Sequence, residues 1–314
     1  MRRFALPILL SALAMSACGG ATGPEHPIPY SSLSPADWID QAGARGAAIA
    51  FLQAYAGAPQ DGGEALQSFP GSPAVLRWAH WFGVQNQEFP GTATGKVSIE
   101  DIGPAVTVED PGGPPLRTIE VRATATFTYT PDGGKPIQVV RSLNGPISMV
   151  RARDGRWLVV DFTRDGSPIS SSILGFHHLI ATVHGVQMRV DSLIADRDSV
   201  QLGLIVRNGT DVSVSPAAAG ATLLTSDGSK LAGSSGAKVF LGSIAPGETG
   251  EGLVTVPPQA AVAGVTLRVA LSGGGRPLVF DFSMGDIAAA AQPLPPAGLT
   301  SPSPAPGTSA GAAP

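Results

Sequence analysis

The spacing of hydrophobic positions changes character twice along the chain. Ser34-Pro35-Ala36-Asp37 offers a capping Ser, a Pro at the first helical position and an early acid, the signature of a helix start. Trp38, Ala42, Ile49, Leu52 and Ala56 then recur at helical spacing, and Gly57-Ala58-Pro59 is expected to stop the run. A short helix is expected over 64–69. Ser72-Pro73 repeats the start signal, and Val75, Leu76, Ala79 and Phe82 share one face until Gly83. After Pro90 the pattern turns to strands rich in Val, Ile and Thr, around 94–109, 116–130, 136–152 and 156–163. Asp132-Gly133-Gly134 and Asp154-Gly155 mark hairpin turns between them. Helices followed by consecutive antiparallel strands predict an α+β domain over 34–165.

From 177 to 286 almost every periodic segment reads as strand: 185–195, 199–207, 221–225, 237–244, 250–256, 264–271 and 277–283. Asn208-Gly209, Asp227-Gly228, Pro246-Gly247 and Gly273-Gly274-Gly275 separate them. About seven short strands at this spacing predict an all-β sandwich of immunoglobulin-like type. Between the two domains, 166–176 contains Ser167-Pro168 and Ser170-Ser171-Ser172 and reads as a linker.

The ends carry a different message. Arg2 and Arg3 precede an apolar run over 4–14, interrupted by Pro7 and Ser11, and Met15-Ser16-Ala17-Cys18 follows. A basic start, a short apolar stretch and small residues are the parts of a secretory signal, here 1–17. The run is shorter than the roughly 20 residues needed to span a bilayer. Residues 18–33, rich in Gly, Pro and Ser, read as a flexible tether, and 287–314, rich in Ala, Pro and Gly, as a disordered tail.

Met15-Ser16-Ala17-Cys18 resembles the lipobox of bacterial lipoproteins. That resemblance implies a diacylglyceryl group on Cys18, removal of 1–17, and attachment to the outer face of the cell membrane. Two acyl chains hold a protein to a membrane where one holds it only marginally. Cys18 is the single cysteine of the chain, so once it is lipidated no thiol remains for a disulfide, a zinc site or a nucleophile. Without Arg2 and Arg3 the basic count falls from 20 to 18 against 24 acids, a net −6. This balance argues against nucleic acid as a partner.

Two further resemblances concern the folded regions. Helices followed by a meander ending in Asp154-Gly155-Arg156-Trp157-Leu158-Val159-Val160-Asp161-Phe162 resemble the NTF2-like cone fold of exported, membrane-associated proteins, over about 34–165. Val206-Arg207-Asn208-Gly209-Thr210, Asp227-Gly228, Pro246-Gly247-Glu248-Thr249 and Gly252-Leu253-Val254-Thr255-Val256-Pro257 are similar to the telokin-like (DUF4352) immunoglobulin domains of bacterial lipoproteins. Thr255 stands where that pattern usually has Phe.

Candidate chemistry is sparse. His177, His178 and His184 form the main histidine group, but neighbours on a strand face opposite ways and no carboxylate stands at a ligand spacing. His80 lies between Trp78 and Trp81 on a predicted helix, where packing explains it. NTF2-like cones include isomerases and cyclases with a carboxylate base and a tyrosine or aspartate donor, which this chain would have to draw from Asp101, Glu120, Tyr129 and Asp161. Asn208-Gly209-Thr210 has the form of a glycosylation site but reads first as a turn. Asp191, Asp196 and Asp198 lack the Gly and terminal Glu of a calcium loop. Neither a phosphate loop nor a nucleophile elbow is present. No catalytic, metal or cofactor residues are therefore assigned. The expectation is a non-enzymatic lipoprotein that docks a cell-envelope protein. A lipid or small apolar ligand in the cone is the first alternative, and a cone-type isomerase or cyclase the second.

Overall fold

A computed structural model describes residues 35–293, apart from 111–113, 176–178, 196–198, 232–237 and 258–263. Antiparallel sheet dominates the described residues, with 55% of them in strand and 21% in helix. Cys18, the tether, His177, His178, Asp196, Asp198 and most of the tail lie outside the described residues.

The first unit begins with helix α1 (Pro35–Asp61) and, after a single 3-10 turn at Ala65–Ser68, helix α2 (Pro73–Gln87). Helix α1 passes the expected stop and carries Pro59 inside it. The chain turns instead at Gly62 and Gly63, whose φ values of 64° and 82° suit a residue without Cβ. There the Gly63 amide donates to the Ala58 carbonyl at 3.0 Å and to Asp61 Oδ1 at 2.8 Å. Helix α2 starts as predicted: the Ser72 hydroxyl accepts from the Val75 amide at 3.2 Å. It does not end at Gly83. That residue is a close-approach glycine, since a Cβ there would stand 2.9 Å from the Gly62 carbonyl oxygen.

Both helices cover a sheet in the order β1 (Gly91–Val108), β2 (Leu116–Pro131), β4 (Gly145–Arg151), β5 (Trp157–Arg164), with β3 (Ile137–Ser142) beside the far half of β2. The stretch 136–152, read as one strand, is two. Leu143 is buried at the break, and Asn144 turns its side-chain oxygen back to accept from the Ala123 amide at 3.0 Å. Strand β1 is irregular between Ile99 and Asp101 and between Ile102 and Ala105. Along β2, Ile119, Val121, Ala123, Ala125 and Phe127 all face inward, the period of two that a half-buried strand requires.

Residues 167–175 are not a solvent-exposed linker. They form β6 (Ser167–Pro168), a helical turn α3 (Ile169–Ser172) and β7 (Ile173–Gly175), and both Ile169 and Ile173 are fully buried in the first core. Asp161 holds this turn in place, accepting from the Ser170 amide at 3.1 Å and its hydroxyl at 2.5 Å.

Two sheets make the second unit. One runs β12 (Lys238–Leu241), β13 (Thr249–Val256), β10 (Val200–Asn208), β9 (Val186–Ala195), β7, β16 (Gln292–Pro293), with β8 (Ile180–Val183) also on β9. The other runs β11 (Val214–Leu224), β14 (Thr266–Gly273), β15 (Arg276–Ser283). Their facing residues close one core. All seven predicted strands are present; β7, β8 and β16 are additional. The expected disordered tail also starts too early at 287. Helix α4 (Met284–Ala290) buries Ile287, and β16 then pairs with β7.

Candidate functional site

Helix α2 belongs to both units. Trp78 turns into the first core, where its ring meets Phe162 edge-on at 4.7 Å and stacks on Phe82 at 5.5 Å. Trp81 leaves the helix toward the second unit. Its indole N–H donates to the Ser192 hydroxyl at 2.8 Å, and that hydroxyl donates in turn to Asp191 at 2.8 Å. The indole lies flat over Gly203 in β10, where any Cβ would overlap it. Ile173, Ile194 and Leu253 join the same buried cluster as the helix–sheet core, so the interior is continuous across the boundary. Polar contacts edge this interface: an ion pair of Arg77 with Asp191 at 3.9 Å, and His80 Nε2 to Glu251 at 2.9 Å.

Beside this seam lies a pocket of about 150 Å³. Its apolar wall is the ring cluster of Tyr55, Trp78, Phe82 and Phe127, in which Tyr55 meets Phe127 edge-on at 5.2 Å. Val139 on β3 supplies one side, while Ile194, Gln201 and Thr255 of the second unit supply another. The charged side chains of the lining are Arg141 and Arg164. Arg164 is 7% exposed, and its guanidinium lies 6.0 Å over the Trp78 ring. Arg141 meets Asp165 at 3.2 Å, and Asp165 also accepts from the Ser142 amide at 2.9 Å, which ties the end of β5 to the end of β3. The Tyr129 hydroxyl donates to Asn86 at 3.2 Å. Burial pushes the Tyr129 phenol well above its usual pKa, with Tyr55 adding to the rise and Arg141 opposing it. It therefore stays protonated, and keeps its hydrogen bond to Asn86, throughout the physiological range.

The residues weighed for catalysis do not converge. Asp101 and Glu120 are exposed, and Asp161 is engaged at α3; of the four, Tyr129 alone lines the pocket. His184 is exposed at a turn with φ 46°. Among the described residues no group of His, Cys, Asp and Glu is gathered for a metal. Asp191 is engaged by Arg77 and by Arg189 at 3.3 Å. Asn208 is fully buried, and its amide donates to the carbonyls of Val212, Ile244 and Ala245 at 2.8, 3.0 and 3.2 Å. It is a structural bracket with no room for a glycan.

Arg141, Arg164 and Gly203 were not singled out from the sequence. Arg164 stands two residues after buried Phe162 on the same face of β5, an inward position where an arginine is out of pattern. Gly203 interrupts the branched run of Leu202, Leu204, Ile205 and Val206, the mark of another group approaching the backbone. Among the described residues no helix is long and apolar enough to cross a membrane. No protein-family model matches the chain, and no curated protein is similar enough to count as a match.

Proposed function

We propose that the chain is a lipoprotein held by lipid on Cys18 at the extracytoplasmic face of the membrane, where it docks a cell-envelope protein and catalyses no reaction. In this reading the first unit is an NTF2-like cone and the second a telokin-like immunoglobulin sandwich. The observation that carries the reading is the close packing of the first unit. Phe51, Tyr55, Trp78, Phe82, Phe127 and Phe162 take up most of the space behind the helices and leave a cavity of about 150 Å³ beside the seam, into which none of the candidate carboxylates reaches. The carboxylates that would act as bases lie outside it. Trp81 also fixes the sandwich against the first unit, so its exposed side chains are presented in one orientation.

The docking test places a photo-crosslinking side chain, one position at a time, at exposed Ile180, Val212 and Val279 of the sandwich and at exposed Val106 of the first unit. Intact cells are irradiated. One protein captured from sandwich positions and not from Val106 is the expected result. Capture from Val106 alone, or from no sandwich position, overturns the docking role. The anchor is tested by labelled fatty acid in Cys18→Ala, where label that persists excludes lipidation at Cys18.

A further inference from the structure

The pocket at the seam lies where helix α2 runs out of rings to lay on the sandwich. Ser192, Gly203 and Leu253 stand opposite one another on β9, β10 and β13, and Trp81 bonds to the first and covers the second. Two residues along each strand, on the same face, the next row is Ile194, Gln201 and Thr255. Gln85, one turn after Trp81, meets that row through its amide, where Gln201 Nε2 donates to Gln85 Oε1 at 3.4 Å. Between this row and the rings of Trp78, Phe82 and Phe127 lies the cavity of about 150 Å³. A space of that volume holds one benzene ring and no long acyl chain. The ring wall favours a flat guest through offset and edge-on contacts. The charges of the lining are already engaged, since Arg141 pairs with Asp165 at 3.2 Å and Arg164 lies over the Trp78 ring. A guest that fits here is therefore neutral, because an anion would lose water and meet no free countercharge. The polar groups left for recognition are also neutral. Among the described residues, the Thr255 and Ser199 hydroxyls, the Gln201 side-chain oxygen and the Gln85 side-chain nitrogen bond to no other protein group. Together they offer donors and acceptors, the pair that a single hydroxyl satisfies.

We infer that this pocket binds a small neutral aromatic molecule of phenol type, its ring against Trp78, Phe82 and Phe127 and its hydroxyl toward Gln201 and Thr255. The rings come from the first unit and the polar row from the sandwich, so the site exists only while the seam is closed. The assignment is independent of the docking role, which concerns exposed residues elsewhere.

Titration of the full mature chain with phenol, followed by amide proton–nitrogen spectra, tests it. Phenol is expected to shift the amides of Val139, Gln201 and Thr255 saturably and with one dissociation constant. Toluene, which lacks the hydroxyl, is expected to bind about fivefold more weakly. Cyclohexanol, which keeps the hydroxyl and loses the flat ring, is expected to be weaker by about the same factor. Benzoate is expected to bind no better than toluene. Gln201→Leu is expected to weaken phenol about fivefold and leave toluene unchanged. Val139→Phe, which fills the pocket with another ring, is expected to abolish binding and keep the fold; it serves as the test if the Gln201 variant opens the seam. Shifts that do not saturate, or that fall away from these three residues, overturn the proposal. So do toluene or cyclohexanol binding as tightly as phenol, benzoate binding more tightly than phenol, or phenol binding that survives Val139→Phe in the folded protein.

Discussion

The two units bury their chains with different side chains. Behind α1 and α2 the core is built on rings, with Phe51 and Phe162 at 5.0 Å and Trp78 and Phe162 at 4.7 Å, while β2 contributes small residues such as Ala123 and Ala125. Between the sheets of the second unit the core is mostly branched aliphatic, with Val190, Leu202, Leu204, Leu267 and Val269 typical. Sheet-on-sheet packing leaves about 10 Å, which interdigitating Val and Leu fill. Two helices crossing a bent sheet leave wider and less regular gaps, and rings that meet edge-on fill those. The pocket described above has its apolar wall in the aromatic unit. Helix α2 departs from this division, since it supplies a ring to each side.

The largest effect is expected where the two cores meet. Trp81→Ala should cost about 3–5 kcal/mol, because the indole's packing is lost and the seam over Gly203 opens. Urea unfolding followed by circular dichroism should then resolve two transitions. A loss below about 1 kcal/mol would show that the halves do not depend on each other. A smaller effect, confined to the aliphatic half, is expected from Asn208→Ala. Three carbonyls lose a donor but keep other partners in part, for a cost of about 2 kcal/mol. Amide exchange should quicken at Thr210 and Gly247 and stay unchanged in α2. Faster exchange in α2 would mean that the bracket supports the whole molecule.

The smallest effect concerns Tyr129 and the aromatic half. Its folded pKa lies above its unfolded value of about 10. The linked stability is thus intact below pH 10 and falls as the pH rises beyond it toward the folded pKa. Tyr129 should ionise above pH 10 in an ultraviolet titration, and Tyr129→Phe should remove that step. Ionisation near pH 10 in the folded protein would place the phenol in solvent.

Much of the local structure was legible because local chemistry decides it. Ser72-Pro73 starts a helix, and Gly133 and Gly155 take positive φ at hairpin tips. The misread features depend on distant partners. Ile169 and Ile173 look isolated within a Ser-rich stretch, yet they are buried in the first core, where their segment packs against α2 and the neighbouring strands. Pro59 lies in the last turn of α1, where Gly62 and Gly63, three and four positions beyond it, decide the end. Asn208 reads as a turn until its three carbonyl partners are seen, two of them more than thirty residues away. Of the pocket, only Tyr129 was among the sequence candidates. Arg141 and Arg164 reach one pocket through the pairing of strands and the packing of the second unit, which no sequence spacing displays.

The reach of Trp81 also sets the order in which this chain is able to complete itself. Its partner Ser192 follows 111 residues later, and Leu253 later still. The amino-terminal half is made first, and domains emerge in that order during synthesis. Until β9, β10 and β13 arrive, α2 shows an uncovered indole to its surroundings, and closing so long a loop is slow relative to local folding. The first unit thus waits for the second, and a chain cut short before β10 would be left with an adhesive face.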